Sequence, residues 1–306
     1  MASIPKIRSI ISTSIETVPL EFVYDQLTGV KVYQAGEGIP EQTDVEGNNN
    51  VFISNSLDQK FNYPFISQGI GRYEYESQNE FISYGKWLAE PRKSDYFDYP
   101  KLVINEMVNP RIRATFIEEP AVVDHSSSVV VEKSIDFPLL FLLGLLNSKL
   151  FTYYIGEQSS KSANNYPTLN LKLLKSLPIV ICDPIDKDKI ADLSFELAAL
   201  KKHLNAFIRS FSTLIASKFS ISTPSPKLHN WHGLKFSELV QELLKAKVKL
   251  SPLEETEWKK YFNEKKEKAI EIKTQIDETD EEIDQMIYEL YELSEKEIRM
   301  VEDAVS

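Results

Sequence analysis

Four histidines and one cysteine are the residues of this chain best suited to hold a metal ion or to act as nucleophile and base. They are His125, His203, His229, His232 and Cys182. None of the histidines has a metal-ligand spacing with the cysteine. Trp231 lies between His229 and His232. The segment is therefore more typical of a loop that packs its indole ring into a core than of a metal site with two histidine ligands. Cys182 follows an apolar run, which is typical of a buried structural thiol.

Two other patterns could be mistaken for catalytic motifs. Asp124-His125-Ser126 contains the residue types of a hydrolytic triad, but neighbours in sequence rarely converge on one reacting atom. The glycine pairs Gly36–Gly38 and Gly69–Gly71 lack the spacing of a phosphate-cradling loop and are typical of turns. The sequence therefore predicts a non-catalytic chain with no metal site and no cofactor of its own.

Cations interleaved with aromatic residues favour contact with a polynucleotide instead. The segment Tyr84–Lys93 combines three cations with two aromatic rings. Cations neutralise phosphates, while amides and guanidinium groups read base edges. The candidate DNA-binding residues are Lys86, Trp87, Arg92, Lys93, Arg72, Gln78, Asn79, Lys101, Arg111, Arg113 and Lys161. The alternative for the first loop is an ordinary solvated connection with its aromatic rings in the core, and for the polar segment Ser159–Asn165 a plain flexible connection.

The charge balance argues against a DNA-binding protein. The formal net charge is −11, and residues 1–180 hold 16 Lys+Arg against 21 Asp+Glu. DNA-binding domains are usually basic. Any DNA contact must therefore come from a local patch, or a partner supplies most of the phosphate neutralisation, and affinity for DNA in isolation should be weak.

The elements that must position these residues change in character near Pro184. Upstream, short β-rich runs predict strands at Val51–Ser54, Leu102–Asn105, Arg113–Phe116, Ser128–Val131 and Ile179–Ile181. Phe141–Tyr154 predicts one buried helix, and Leu169–Leu177 predicts a short helix or a turn. Strands and helices without βαβ regularity indicate an α+β fold with a mixed sheet, and we assign this domain to residues 1–184.

Residues 185–306 are predicted to form an α-helical spacer or coiled-coil region. Apolar residues at helical spacing predict a long helix over Lys187–Phe219 and a shorter one over Phe236–Lys245. Ser251 and Glu254 form a capping box that begins a further helix. Near-heptad spacing from Ile276 to Leu290 leaves open whether this tail packs on its own domain, faces a partner or pairs in a homodimer.

Targeting and membrane signals are absent from the sequence. The longest apolar run, Phe137–Leu146, is too short to span a bilayer and contains Pro138. The single cysteine excludes a disulfide framework and fits a reducing compartment. We therefore expect a cytoplasmic protein without a membrane partner.

Several segments, in a fixed order, carry a resemblance to a known family. They read GVKVYQAGEGIPEQT over Gly29–Thr43, NSKL over Asn147–Leu150, YPTL over Tyr166–Leu169, LPI over Leu177–Ile179 and EIDQMIYELYEL over Glu282–Leu293. They are similar to motifs in the C-terminal specificity domains of type IIG restriction enzymes, which are fused adenine-specific DNA methyltransferase–endonucleases. The NSKL, YPTL and LPI segments also resemble the end of target-recognition domains in type I specificity subunits.

The resemblance implies a module that recognises a specific sequence in double-stranded DNA and positions a methyltransferase/endonuclease domain or subunit. That catalytic part would require S-adenosylmethionine and Mg²⁺. Its glycine-rich loop and Asn-Pro-Pro-Tyr/Phe motif do not occur here, since Asn109-Pro110 continues into Arg111. The chain is thus either a C-terminal fragment or a separate specificity subunit. The rival hypothesis, which draws on the net charge of −11, is an acidic protein-interaction scaffold or DNA mimic acting on a restriction complex.

Overall fold

The computed structural model describes residues 15–48, 50–159 and 166–305. The candidate residue Lys161 lies outside this part of the chain. The strands are β1 Thr17–Pro19, β2 Tyr24–Thr28, β3 Ile53–Ser54, β4 Tyr63–Ile66, β5 Glu80–Ile82, β6 Lys101–Asn105, β7 Ala114–Ile117, β8 Val122–Val123, β9 Ser127–Glu132 and β10 Pro178–Val180. The helices are α1 Leu20–Val23, α2 Asp44–Asn48, α3 Asp95–Asp98, α4 Leu139–Asn147, α5 Lys149–Gln158, α6 Leu171–Lys175, α7 Pro184–Lys218, α8 Pro226–His229, α9 Phe236–Lys245, α10 Pro252–Leu290 and α11 Glu295–Val305.

The predicted α+β fold is confirmed. Among the described residues, the strands form an antiparallel sheet with the order β2-β9-β6-β7, a mixed sheet with the order β3-β5-β4-β8 and a small β1-β10 pair. In the mixed sheet, β4 and β8 run parallel, with Phe65 opposite Val122. Apolar side chains from both larger sheets, including Phe65, Ile82, Val103 and Val129, pack into one buried core.

Most of the predicted strands are present. Strands β6, β7, β9 and β10 overlap the predicted ranges, and only the second half of the predicted strand Val51–Ser54 forms β3. Strand β6 lies between β9 and β7, and Leu102, Val103 and Ile104 in it are all buried. Burial on both faces explains why its run of apolar residues is continuous rather than alternating.

The helix predicted over Phe141–Tyr154 is in fact two helices. Helices α4 and α5 bend by 67° at Ser148, which adopts an extended conformation. The Ser148 hydroxyl accepts a hydrogen bond from Phe151 N at 3.2 Å and therefore caps the start of α5. A serine that caps competes with helix continuation, so periodicity alone could not detect the break. No single described helix has the length and apolar character of a membrane span; α4 and α5 reach them only together.

The chain divides into two compact units. The first, called here the α+β unit, contains residues up to Phe195 and from Glu282 onward, and the second, called the helical unit, contains Glu196–Glu281. Both long helices, α7 and α10, contribute residues to both units. The compact units assign the last residues of the chain to the α+β unit. The domain boundary between residues 184 and 185 stays a prediction.

The helical unit has its own core around Trp231. The indole ring lies 4.2 Å from the ring of Phe211 and 5.9 Å from that of Phe262, measured between centroids. Its Nε1 donates to Ile208 O at 3.0 Å. The predicted capping box at the start of α10 is present, because Ser251 N and Ser251 Oγ both donate to Glu254 Oε2.

Candidate nucleic-acid interface

The segment Tyr84–Lys93, which contains four of the eleven predicted DNA contacts, is paired with the glycine-rich segment that begins at Gly29. Lys31 N donates to Glu90 O at 3.1 Å, and Glu90 N donates back to Lys31 O at 2.9 Å. Ile39 N also donates to Lys86 O at 2.9 Å. These backbone bonds fix the loop that carries Lys86 against its neighbour, so the candidate side chains project from an ordered surface.

Gln42 connects the two segments from a buried position. Its side-chain Nε2 donates to Val32 O at 2.8 Å and to Trp87 O at 2.7 Å, while its Oε1 accepts from Gln34 N at 2.8 Å. The side chain is 4% exposed, so three hydrogen bonds satisfy an otherwise costly buried amide. Gln42 of the glycine-rich motif therefore has a structural role, and the sequence pattern did not identify it as a positioning residue.

Two glycines allow the backbone to approach Trp87 closely. Gly38 has φ +85°, and a Cβ at this position would lie 2.4 Å from Trp87 O. A Cβ at Gly85 would lie 2.5 Å from the indole ring itself. The Trp87 Nε1 donates to Ser83 O at 2.9 Å, which sets the orientation of the ring. The loop thus needs glycine at both positions to hold the partly buried indole beside the exposed cations.

Three of the predicted contact residues are exposed cations on this loop. Lys86, Arg92 and Lys93 are exposed, and the side chain of Arg92 is 35% exposed. Arg92 Nε donates to Gly29 O at 3.3 Å, and its Nη2 lies 2.5 Å from Glu90 Oε2. Lys31, on the paired segment, contacts the side-chain amide of Gln34. We call the segment that carries the cations Lys86, Arg92 and Lys93 the Lys86–Lys93 loop.

Arg72 and Arg111 do not lie on this loop. Both guanidinium groups donate to the main-chain carbonyl oxygen of Asn147, at 2.9 Å and 2.6 Å. Arg111 Nη2 also lies 3.7 Å from Asp284 Oδ2, where the two side chains are 12% and 1% exposed. These contacts give both arginines a structural role in the α+β unit. That they also bind DNA stays a prediction.

Lys101, another predicted DNA contact, also lies in the interior. It is fully buried, and its Nζ donates to the carbonyl oxygens of Phe97, Tyr99 and Glu119 at 2.9–3.0 Å. Burial lowers the pKa of Lys101 to about 8, so the side chain is still an ammonium group at pH 7. The ammonium group satisfies three carbonyls near the C-terminal end of α3, and no nucleic acid can reach it.

The remaining predicted contacts are dispersed. Gln78 and Asn79 are exposed on the turn before β5, where Gln78 Nε2 donates to Glu76 O at 2.9 Å. Arg113 is half-buried, and its Nε is buried. Lys86, Trp87, Arg92 and Lys93 thus lie on one ordered loop, whereas Arg72, Arg111 and Lys101 donate to carbonyl oxygens elsewhere in the α+β unit.

The NSKL and EIDQ segments meet in the interior of the α+β unit. The side-chain amide of Asn147 donates to Ala114 O at 2.9 Å and accepts from Ala114 N at 3.1 Å, as a neighbouring strand would do at the edge strand β7. Lys149 N donates to Asp284 Oδ1 at 2.8 Å. Its Nζ lies 2.8 Å from Glu302 Oε2 and 3.6 Å from Asp284 Oδ2. These motif residues hold α5, α10 and α11 together.

The LPI and LYEL segments also meet. Tyr291 is fully buried, and its hydroxyl donates to Pro178 O at 2.7 Å and accepts from Val180 N at 3.2 Å. Burial raises the pKa of Tyr291, which keeps the phenol protonated and able to donate. The hydroxyl thus joins the end of α10 to β10.

Neither Asp124–Ser126 nor Cys182 is arranged for nucleophilic catalysis. Asp124 Oδ2 lies 3.1 Å from His125 Nδ1, but Asp124 Oδ1 accepts from Ser126 N at 2.9 Å and so organises a turn. Cys182 is half-buried, and burial raises the pKa of its thiol to about 11, so it is protonated at neutral pH. In residues 15–48, 50–159 and 166–305, no three His, Cys, Asp or Glu side chains cluster as metal ligands would.

Two family models match the chain. Residues 65–179 match the TaqI-like C-terminal specificity domain, and residues 183–287 match a domain of unknown function (DUF8810). The first match confirms the resemblance to specificity domains that the motifs indicated. A comparison with curated proteins found no match.

Several solved structures are similar at low sequence identity. The type I restriction–modification S subunit from M. genitalium is 13% identical with a TM-score of 0.39, over 72% of this chain and 50% of that chain. MmeI, a type IIL enzyme solved in complex with DNA, is 12% identical with a TM-score of 0.40, over 89% and 36%. The type IIG endonuclease BpuSI is 13% identical with a TM-score of 0.37, over 90% and 31%. This chain therefore spans half or less of the length of these proteins.

Proposed function

We propose that this chain, whose residues 65–179 match the TaqI-like C-terminal specificity domain, recognises a short sequence in duplex DNA. In this proposal it positions a separate adenine N6-methyltransferase/endonuclease core on that sequence. The observation that carries the proposal is the Lys86–Lys93 loop, because it lies inside the matched domain and presents three exposed cations beside a fixed indole.

The geometry of this loop suits contact with a charged, flat-faced ligand. Lys86 and Lys93 neutralise phosphates as point charges, and Arg92 offers a planar fork of donors that matches phosphate or guanine geometry. Since backbone bonds and Gln42 already hold the loop, little conformational entropy is lost when it binds. Glu90 holds the Arg92 fork in place and competes with a phosphate for it.

The surrounding charge weakens DNA binding by this chain when no partner is present. The α+β unit holds 20 Lys+Arg and 33 Asp+Glu, a net charge of −13. An acidic unit with one cationic loop repels most of the duplex while attracting it locally. We therefore propose that a catalytic core supplies additional phosphate contacts, and that S-adenosylmethionine and Mg²⁺ bind to that core.

The test is fluorescence anisotropy of labelled 30-base-pair duplexes with the full chain across a salt series. The variant K86Q/R92Q/K93Q should weaken binding. It should also make the negative slope of log affinity against log salt shallower by up to about 2.7, at about 0.9 for each lost phosphate contact. The control K172Q/K189Q/K296Q removes three cations elsewhere in the α+β unit and should leave the slope unchanged. An equal slope for the wild-type chain and K86Q/R92Q/K93Q would refute the role of this loop.

The acidic scaffold or DNA mimic is the second candidate, and the net charge of −13 of the α+β unit favours it. Charge reversal at Lys86, Arg92 and Lys93 separates the two functions. A DNA reader loses retention of DNA when these charges are reversed, whereas a scaffold or mimic shows no change. Incubation of the chain with DNA, S-adenosylmethionine and Mg²⁺ should give no methylation or cleavage until a catalytic core is added.

A further inference from the structure

The helical unit carries a charge opposite to that of the α+β unit. Residues 196–281 hold 15 Lys+Arg and 13 Asp+Glu, a net charge of +2 in a chain whose net charge is −11. Four of the 13 acidic residues are the last ones, from Asp277 to Glu281, so residues 196–276 alone have a net charge of +6. The helical unit therefore contains a cationic region. A charge count that divides the sequence near residue 180 does not show it, because the acidic residues after 276 cancel its positive charge.

Part of this positive charge lines a groove in the helical unit. The groove has a volume of about 430 Å³, and it is lined by Lys235, Phe236, Lys259, Phe262, Asn263, Lys266, Glu267 and Ile270. Three of these eight residues are lysines, and one is acidic. Lys259 and Lys266 are seven residues apart on α10, so they project from one face of the helix about 10 Å apart along its axis.

The lysines of the groove keep donors for a ligand. Lys266 Nζ donates to Leu234 O at 2.7 Å, which uses one of its three N–H groups and anchors the side chain. Lys235 and Lys259 are exposed, and no contact of their ammonium groups is found within the described part of the chain. Phe262 is fully buried and forms part of the apolar lining of the groove.

His232 lies near the ammonium groups of two lysines, one of which lines the groove. The ring is half-buried, and its Nδ1 is buried without a hydrogen-bond partner in the described residues. Burial lowers the pKa of His232, and the nearby ammonium groups of Lys266 and Lys273 lower it further. Lys273 continues the seven-residue spacing of Lys259 and Lys266, although Asp277 pairs with it at 3.1 Å.

We propose that this groove binds the phosphate backbone of duplex DNA, as a second contact surface independent of the Lys86–Lys93 loop. The inference takes its ligand from the proposed function, but it rests on other residues in the other compact unit. Spaced ammonium groups over an apolar floor, with the Asn263 amide between them, suit successive phosphates and sugar edges without reading bases. Contacts of this kind add affinity for any duplex sequence.

The experiment measures the fluorescence anisotropy of a labelled random-sequence duplex of about 30 base pairs with the full chain, at salt concentrations from about 25 to about 200 mM. K235Q/K259Q leaves Lys266 and its bond to Leu234 intact. This variant should weaken binding several-fold at low salt. It should make the negative salt slope shallower by about 1.8, for two lost phosphate contacts. K202Q/K227Q, which removes two exposed lysines of the helical unit that do not line the groove, should match the wild-type chain.

The charge-conserving K235R/K259R variant should retain the wild-type salt slope, and circular dichroism checks that each variant is folded. If K235Q/K259Q keeps the wild-type slope while K86Q/R92Q/K93Q loses it, the groove inference is wrong and the proposed function stands. If only the groove variant loses slope, the groove binds DNA and the role of the Lys86–Lys93 loop is refuted. Equal losses for K235Q/K259Q and K202Q/K227Q, or no binding by the wild-type chain at the lowest salt, would overturn the groove inference.

Discussion

Two groups of cations in the α+β unit look alike in sequence and differ in the fold. Arg72, Arg111 and Lys101 donate to main-chain carbonyl oxygens in the interior. Lys86 and Lys93 project from an ordered loop into solvent. In this fold, some arginine and lysine side chains hold carbonyl oxygens and others extend into solvent. Burial and partners, rather than residue type, separate the two roles.

The same contrast applies to the motifs that carry the family resemblance. Gln42, Asn147, Asp284 and Tyr291 are all buried, and each makes hydrogen bonds that connect separate segments. These motifs therefore describe the framework of the domain. The candidate contact residues lie between them, where a change of side chain costs the framework little.

The largest expected effect is on the buried network around Asp284. The D284A variant would leave Lys149 and Arg111 without this carboxylate, and we expect it to lower the free energy of unfolding by about 3–5 kcal/mol. Urea unfolding followed by circular dichroism measures this change. If D284A does not fold, D284N retains an acceptor for Lys149 N and should show a smaller loss.

The matched control for D284A is E295Q. Glu295 pairs with Arg299 at 3.4 Å on the same C-terminal segment, where the two side chains are 93% and 74% exposed. Exposed pairs of this type contribute about 0.3–0.5 kcal/mol, so E295Q should unfold almost as the wild-type chain does. Similar urea midpoints for D284A and E295Q would show that the buried network does not stabilise the fold.

Much of the framework was predictable from sequence, because it depends on local signals. The apolar run at Leu102–Ile104 predicted β6, and Ser251 with Glu254 predicted the start of α10. The Ser148 break was not predicted, because a capping serine interrupts a helix without changing the spacing of the leucines. The separation of Lys101 from Lys93 was not predictable either, since it depends on carbonyl groups at Phe97 and Glu119 that meet only in the fold.

A second prediction concerns Lys101 and tests the comparison directly. K101M keeps a long apolar stem but removes the donor for three carbonyl oxygens, so we expect a loss of about 2–3 kcal/mol in the free energy of unfolding. The folded variant should bind DNA as the wild-type chain does. K93M, the exposed counterpart, should change the free energy of unfolding by less than about 0.5 kcal/mol. Reduced DNA affinity in folded K101M would contradict the structural role of this lysine.

A smaller effect is expected for Tyr291. Y291F removes the hydroxyl that donates to Pro178 O and accepts from Val180 N, and it leaves the ring in place. The expected loss in the free energy of unfolding is about 1–2 kcal/mol. Hydrogen exchange should show faster opening of the Val180 amide, which loses its acceptor. Y99F is the control, because Tyr99 is 63% exposed, and unchanged exchange at Val180 in Y291F would count against the hydroxyl bridge.

The smallest effect on stability is expected for the Lys86–Lys93 loop. Lys86 and Lys93 are exposed, and Arg92 contributes one hydrogen bond of 3.3 Å and one half-exposed ion pair with Glu90. Surface pairs of this type contribute about 0–1 kcal/mol, so K86Q/R92Q/K93Q should keep the urea midpoint of the wild-type chain within experimental error. The same variant should show a large loss in the salt-dependent anisotropy assay. A stability loss of the size expected for K101M would erase the contrast, because Arg92 would then belong with the cations that hold the fold.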